Sequence, residues 1–157
     1  MTFSPLAPAV DAGPSEALRL RSVVKTYGTG DSRVTALRGV DLAIATGTFT
    51  AIMGPSGSGK STLLHSAAGL DRPTSGTVQL GGTEISGLKA RQLTAFRRDH
   101  VGFVFQAYNL LPALNVEDNI TLPLRLGGRR IESRWLDFLL EAVGLAEYRR
   151  RRPSELS

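Results

Sequence analysis

A short glycine-rich segment, residues 54–61, has the residue types and the spacing that bind a polyphosphate. Its residues are Gly54, Pro55, Ser56, Gly57, Ser58, Gly59, Lys60 and Ser61, which fit the pattern G-x-x-x-x-G-K-[ST]. The glycines let successive backbone N–H groups approach phosphate oxygens and form an anion-binding concavity. We expect Lys60 to reach the β- and γ-phosphates and the Ser61 hydroxyl to bind Mg²⁺. The alternative is a Gly/Ser-rich linker, but a chance match in a chain of this size is on the order of one in a hundred or rarer.

The segments on either side of residues 54–61 have the patterns needed to hold such a loop. Residues 49–53 form a short apolar run of β-prone types, which predicts a strand. Residues 61–70 have helical spacing and a glycine near the end, which predicts a helix. A phosphate loop needs this order of strand, loop and helix, because the N-terminus of the helix presents unpaired N–H groups and a positive dipole end to the anion.

The amino-acid composition indicates one globular domain in a chain of 157 residues, with 41% hydrophobic and 21% charged residues. The sequence contains no cysteine, which excludes disulfides and thiolate metal sites. No apolar run reaches the length of a transmembrane helix. Residues 1–16 are rich in proline and alanine and lack the features of a signal peptide, so we expect a flexible N-terminal lead. The domain itself is predicted to cover residues 17–157.

The net charge of +5 and the sequence pI of about 10.2 could indicate a nucleic-acid or anionic membrane partner. The basic residues are dispersed apart from four consecutive arginines at 149–152, and no aromatic residues alternate with them as a base-stacking surface requires. We therefore expect no nucleic-acid partner beyond a nucleotide, and we interpret the charge as a solvated, arginine-rich surface.

Hydrophobic periodicity divides the chain into β-rich and helical parts. Period-two or continuous β-prone patterns predict strands at residues 17–25, 34–37, 40–44, 77–80 and 101–105. Residues 89–99 and 133–143 are predicted to be helices, and a further helix is predicted to begin after Asn115 as its N-cap. This order predicts an α/β fold, with a P-loop NTPase core, an antiparallel β subdomain and a helical segment.

Several stretches, in the order found here, resemble the ATP-binding subunits of ABC transporters. They are residues 25–28 (KTYG, the aromatic A-loop), 54–61 (the phosphate loop), 69–76 (GLDRPTSG), 101–106 (VGFVFQ, the Q-loop strand) and 152–157 (RPSELS, the lead into the signature motif). Residues 109–112 and 116–120 look like the branch that includes macrolide exporters and lipoprotein-release systems. The resemblance runs from about Leu18 to the last residue, and several motifs in the right order are far more specific than the phosphate loop alone.

The resemblance implies that the matched side chains surround one bound nucleotide, ATP with Mg²⁺. Residues 54–62 would hold the phosphates, with Thr62 on the α-phosphate. Tyr27 would stack its ring on the adenine; the alternative is an ordinary tyrosine at the end of a strand. Gln106, at the carboxyl end of a predicted strand, would contact Mg²⁺ or an attacking water; the alternative is a polar loop residue. The implied metal contacts are therefore Ser61 and Gln106.

The resemblance also implies protein partners and a location. Family members act with a membrane-spanning transporter subunit, and Leu110, Leu111 and Pro112 match the region that faces it. Packing of these residues onto the helical segment is the alternative. A second ATP-binding subunit would form a dimer with the first. The implied location is cytoplasmic and peripheral, at the inner face of the cell membrane.

The sequence departs from the family at its end, because Leu156 and Ser157 begin the signature motif and its Gly-Gly-Gln does not follow. Matches to the Walker B aspartate, the catalytic glutamate, the D-loop and the switch histidine are also absent. We therefore interpret the chain as truncated. Phosphoryl transfer needs a metal held on both sides and a group that positions the nucleophile, so we expect the chain to bind ATP weakly and not to turn it over. We also expect the strands at 49–53 and 101–105 to lack neighbours on the sheet.

Other classes of P-loop protein are alternatives to a transporter subunit. A small soluble P-loop kinase or GTPase fits the length of the chain, but the sequence has no N-K-x-D run for guanine. ABC proteins of DNA repair usually separate the phosphate loop and the signature by long insertions, whereas the spacing from Ser61 to Leu156 is compact. A regulatory fragment that caps a full-length partner has no positive support in the sequence.

Overall fold

The computed structural model describes residues 15–156, which divide into two compact units between Leu93 and Thr94. The strands are β1 (Glu16–Tyr27), β2 (Val34–Ala45), β3 (Ser75–Leu80) and β4 (Thr83–Glu84). The α-helices are α1 (Lys60–Ala67), α2 (Ala90–His100), α3 (Val116–Leu126) and α4 (Ser133–Ala142). This mixture of an antiparallel sheet with helices confirms the predicted α/β class. Residues 1–14 of the predicted flexible lead, and Ser157, lie outside the described residues, and the domain start at residue 17 stays a prediction.

The sheet of the first unit is antiparallel and has the strand order β2-β1-β3-β4. Leu20 in β1 pairs with Leu42 on one side and with Val78 on the other. Leu20 and Val78 are almost completely buried, because neighbouring strands place opposed side chains on the same face of the sheet. The strands predicted at 34–37 and 40–44 form the single strand β2, since β1 pairs along its whole length and a register shift absorbs the interruption between them.

Two predicted strands, at residues 49–53 and 101–105, were wrong. Both segments lack regular secondary structure, and Phe49 and Val104 are 97% and 96% exposed. Residues of β-prone type form a strand only when a second strand accepts and donates their backbone hydrogen bonds. The four-stranded sheet of residues 15–156 takes in neither segment. This result agrees with the expectation that the two segments lack neighbours on the sheet.

The helices agree with the sequence predictions to within a few residues at each end. Helix α1 covers residues 60–67, compared with the predicted 61–70, and α2 covers residues 90–100, compared with the predicted 89–99. Asn115 is the N-cap of α3, and its side-chain oxygen accepts a hydrogen bond from the Asp118 backbone N–H at 2.8 Å. Residues 133–142 of the predicted 133–143 form α4. Spacing and capping residues act locally, which explains why these elements follow from the sequence.

The second unit has a small apolar core and one arginine that joins its parts. Leu136 and Leu140 of α4 are buried with Val116 of α3. The Arg149 guanidinium donates to both carboxylate oxygens of Glu117, at 2.6 and 3.0 Å, and to Asp137 at 2.6 Å. The hydrogen bond from Arg149 holds the pKa of the Glu117 carboxyl below its usual value. Arg149 thus ties the segment after α4 to both helices.

Candidate phosphate-binding site

The predicted phosphate loop leads directly into helix α1. Gly57 and Gly59 have φ angles of +78° and +88°, and Gly59 is the N-cap residue directly before the helix. A Cβ atom on Gly59 would lie 2.7 Å from the Ala36 carbonyl oxygen, a backbone atom of β2. Glycine is therefore required at residue 59 both by its conformation and by the closeness of β2. The loop is held against the sheet at this point.

The Lys60 ammonium group donates hydrogen bonds to the first two residues of the loop and to a serine near its end. Nζ donates to the Gly54 carbonyl oxygen at 2.9 Å, to the Pro55 carbonyl oxygen at 2.7 Å and to the Ser58 Oγ at 3.5 Å. All three acceptors are neutral, so they satisfy the geometry of the ammonium without cancelling its charge. The positive charge therefore stays at the loop, where it can attract an anion.

A cavity of about 260 Å³ lies between the loop, the first turn of α1 and β2. Its lining residues are Ala36, Ser56, Gly57, Gly59, Lys60, Ser61 and Thr62. The first helical hydrogen bond runs from the Leu63 N–H to the Gly59 carbonyl at 2.8 Å, so the preceding N–H groups have no partner within the helix. These N–H groups, three hydroxyls and one ammonium make an anion-binding surface. Its volume suits a polyphosphate rather than a whole nucleotide, because ligand pockets usually exceed about 300 Å³.

The donors at this cavity fit Mg²⁺ bound together with a phosphate. Ser61 supplies a hard oxygen ligand in the first turn of α1, beside Lys60. Mg²⁺ in such sites keeps several waters and takes its other ligands from the phosphates, so one hydroxyl is a sufficient protein contact. Among residues 15–156, no cluster of three or more histidine, cysteine or acidic side chains could hold a metal by itself.

Tyr27, at the end of β1, lies close to the residues around the cavity. Tyr27 is 42% exposed, and its hydroxyl donates a hydrogen bond to Asp71 Oδ2 at 2.6 Å. The hydrogen bond to Asp71 and partial burial raise the pKa of Tyr27, while a hydrogen bond with the Thr62 side chain acts in the opposite direction. The structure therefore brings Tyr27 together with Thr62, which lines the cavity.

Asp71 was not identified as a site residue from the sequence. It lies 44 residues from Tyr27 in the chain, and the two belong to segments that the sequence marked as separate motifs. The contact between them depends on how α1 and the following turn pack beside β1, which no local pattern encodes. The only available signal was that each residue falls within a motif.

Gln106 belongs to the second unit, where it follows the segment 101–105 and is exposed. The predicted strand before it is absent, so it does not occupy the carboxyl end of a strand. Its contact with Mg²⁺ stays a prediction. The site residues that the structure brings together are those of the first unit: Tyr27, Thr62 and the loop 54–61.

Comparison with known proteins points to one family. The model of the family described as "ABC transporter" matches residues 37–157. A macrolide export ATP-binding/permease protein, MacB, of Rhodopseudomonas palustris is 44% identical over 142 residues, 89% of this chain and 22% of that protein. The lipoprotein-releasing system ATP-binding protein LolD of Geobacter metallireducens is 42% identical over 145 residues, 91% of this chain and 64% of that protein. This chain thus spans between about a fifth and two thirds of the length of these relatives.

A solved structure supports the same grouping. The ATP-binding cassette MJ0796, in a dimeric post-hydrolysis state bound to ADP and Pi, matches with a TM-score of 0.78 and 40% sequence identity. The match covers 89% of this chain and 63% of that one. At this identity the two chains share their fold and a common family of sequences.

Proposed function

The chain belongs to the ABC transporter family of ATP-binding proteins, and from this we propose that it binds ATP with Mg²⁺ as part of an exporter-type transporter. The observation that carries the proposal is the cavity at residues 54–62, where Lys60 and the first turn of α1 converge. The relatives named macrolide export and lipoprotein-releasing proteins support the exporter type. Because the chain belongs to this family, we set aside the alternative that it is a small soluble P-loop kinase or GTPase.

Each residue around the cavity has a distinct role in this proposal. Lys60 exchanges its neutral loop acceptors for the β- and γ-phosphates, which are stronger acceptors because they are charged. The N–H groups at the start of α1 and the Thr62 hydroxyl bind the inner phosphate oxygens. Ser61 would hold Mg²⁺, which when bound neutralises charge on the phosphates. Tyr27 offers its exposed ring to the adenine.

We assign binding without steady hydrolysis to the chain of 157 residues. The cavity lining contains hydroxyls, glycines, one alanine and one ammonium, and it contains no carboxylate. The cavity therefore offers no carboxylate to orient an attacking water or accept its proton. Such a site stabilises bound ATP but gives the transition state of hydrolysis little further stabilisation. ATP binding is also expected to be weak, since the cavity encloses only the phosphates.

The rate of steady phosphate release is expected to equal that of buffer containing ATP and Mg²⁺ alone. The measurement is a coupled phosphate assay on the purified chain at saturating ATP. The Lys60→Ala variant is the control, because release by a contaminating ATPase is the same for both proteins. Phosphate release that is present in the wild type and lost in Lys60→Ala would contradict the absence of turnover.

A membrane-spanning transporter subunit and a second ATP-binding subunit are the proposed partners. The relatives include ATP-binding/permease proteins, and the similar cassette forms a dimer. Within residues 15–156, no helix is long and apolar enough to cross a membrane. The names of these relatives as transporter proteins support a proposed location at the inner face of the cell membrane, peripheral to a partner that spans it.

The second unit has a loop suited to contact the membrane subunit. Leu110 and Leu111 are 45% and 47% exposed. The loop is nevertheless fixed, because the Asn119 side chain of α3 accepts from the Leu111 N–H at 2.8 Å and donates to the Leu111, Leu114 and Asn115 carbonyls at 3.0–3.2 Å. A fixed loop with exposed apolar side chains gains free energy when a partner covers it, and it loses little conformational freedom on binding.

Replacing both Leu110 and Leu111 with serine is expected to reduce recovery of the chain with a membrane subunit at least about tenfold, because two buried leucines are lost from the interface. The measurement is co-purification in detergent with the permease part of the Rhodopseudomonas palustris MacB protein. The matched control is Leu126→Ser, which changes an exposed leucine at the far end of α3. Equal recovery of the wild type and the double variant would show that this loop is not the contact.

A further inference from the structure

Lys25, Tyr27 and Asp71 form a cluster in the first unit. The Asp71 carboxylate uses one oxygen for each partner: Oδ1 accepts from Lys25 Nζ at 2.5 Å, and Oδ2 accepts from the Tyr27 hydroxyl at 2.6 Å. Lys25 Nζ also donates to the Arg72 carbonyl oxygen at 2.8 Å. The same ammonium lies 4.9 Å from the centroid of the Tyr27 ring, within cation–π distance. The cluster therefore contacts both the hydroxyl end and the face of the ring.

These contacts restrict the orientation of the Tyr27 ring. The hydrogen bond to Asp71 fixes the hydroxyl end, and the Lys25 ammonium occupies one face. The side chain of Lys25 is only 13% exposed, whereas Tyr27 as a residue is 42% exposed. Tyr27 is thus partly open to solvent, and Lys25 already occupies one face of its ring, so the opposite face is the one we assign to a flat ligand. A ring that is already oriented loses less freedom when a ligand stacks on it.

The cluster is also joined to the helix that carries the phosphate site. The Asp71 backbone N–H donates to the His65 carbonyl of α1 at 3.2 Å. The Thr62 side chain, in the first turn of the same helix, lies close enough to the Tyr27 hydroxyl to lower its pKa. Both ends of α1 are thus in contact with the cluster, which fixes the distance between the ring and the cavity.

We propose that Asp71 and Lys25 are positioning residues that hold the Tyr27 ring for stacking of a purine base on the face opposite Lys25, at a set distance from the phosphate loop. This inference rests on the proposed function, since it concerns the base of the nucleotide whose phosphates bind at residues 54–62. It assigns no chemical step to either residue. It predicts that the cluster contributes to affinity for the base and makes no contribution to affinity for the phosphates.

The ionisation of the cluster is consistent with this role. Partial burial raises the pKa of Asp71, but the hydrogen bonds from Lys25 and Tyr27 and the charge of Lys25 outweigh burial and hold the pKa below its usual value. The hydrogen bond to Asp71 raises the pKa of Tyr27 above its usual value. Around neutral pH the carboxylate is therefore charged and the phenol is protonated, which is the state that forms the hydrogen bond.

The test compares two ligands that share their phosphates and differ in the base. Isothermal titration measures binding of ATP and of inorganic tripolyphosphate, both with Mg²⁺, to the chain of 157 residues. Asp71→Ala is expected to weaken ATP binding roughly three- to tenfold, the usual effect of one lost hydrogen bond in the bound state, and to leave tripolyphosphate binding unchanged. Asp31→Ala is the control, because it removes an equal charge from an exposed residue of the same unit.

A second variant, Tyr27→Phe, keeps the ring and removes only the hydroxyl, so it should show the same selective loss with less disturbance to the fold. Equal weakening of ATP and tripolyphosphate, in either variant, would mean that Asp71 supports the loop itself. Unchanged ATP binding in both variants would also overturn the positioning role. Absence of any Lys60-dependent binding in the wild type would instead overturn the proposed function, and the positioning role with it.

Absorbance at high pH reports on the cluster without any nucleotide. The difference between the wild type and Tyr27→Phe isolates the titration of Tyr27 from that of the other tyrosines. Asp71→Ala is expected to lower the pKa of Tyr27 toward its usual value, because the carboxylate that raises it is gone. A pKa that does not move would show that the contact is absent in solution and would overturn the inference.

Discussion

Replacing Lys60 with alanine is expected to weaken ATP binding about a hundredfold, which corresponds to about 3 kcal/mol. Lys60 donates to two carbonyl oxygens of the loop, and its charge is not cancelled by these neutral acceptors. On ATP binding the ammonium gains charged phosphate acceptors, and hydrogen bonds to charged groups contribute about 1.5–3 kcal/mol each. In Lys60→Ala the ligand-free loop also lacks its hydrogen bonds to the Lys60 ammonium. ATP must then order the loop when it binds, which weakens binding further.

The control for this prediction is Lys89→Ala, which removes an equal charge from an exposed residue of the same unit. Equilibrium dialysis with labelled ATP and Mg²⁺ measures both variants, and tripolyphosphate should lose as much affinity as ATP in Lys60→Ala. Circular dichroism checks that the helices are retained. A Lys60→Ala protein that binds ATP within threefold of the wild type would overturn the assignment of the phosphates to this loop.

Local patterns were sufficient to predict the four helices, whereas the assignment of residues 54–61 to a phosphate ligand stays a prediction. The loop is a contiguous run whose glycines and lysine act through their own backbone and side-chain geometry. The N-cap at Asn115 and the apolar spacing of α4 are local in the same sense. Such features depend on neighbours within about four residues, so a single sequence contains all the information they need.

Features that depend on distant partners were not predictable. Residues 49–53 have the composition of a strand but lack regular structure, because strand formation also requires a second segment in register. Pairing with a partner strand also explains why β2 is one strand, because β1 pairs with it along its whole length. The Tyr27–Asp71 contact joins residues 44 apart. In each case the partner, rather than the residue's own neighbourhood, decides the outcome.

Gly59 should be the least replaceable glycine of the loop, and Gly57 provides a matched comparison. Both residues have φ in the left-handed region, at +88° and +78°. A Cβ on Gly57 would meet no atom within 4 Å, whereas one on Gly59 would lie 2.7 Å from the Ala36 carbonyl oxygen. Alanine at either residue therefore costs about 1–2 kcal/mol of conformational strain, and only at residue 59 does it also collide with the sheet.

Gly59→Ala is expected to lower the free energy of unfolding of the first unit by about 3 kcal/mol, since overpacking adds about 1–3 kcal/mol to the strain. Gly57→Ala should lower it by about 1–2 kcal/mol.

Relief of the collision must move either β2 or the start of α1, because the contact is between two backbone segments. Movement of α1 displaces the N–H groups and hydroxyls that line the cavity, so ATP binding should fall at least about tenfold further in Gly59→Ala than in Gly57→Ala. Urea unfolding and ATP titration of the two variants measure these differences. Equal loss of stability and affinity in both would mean that the closeness of β2 to the loop has no energetic consequence, and conformational strain alone would then account for glycine at both residues.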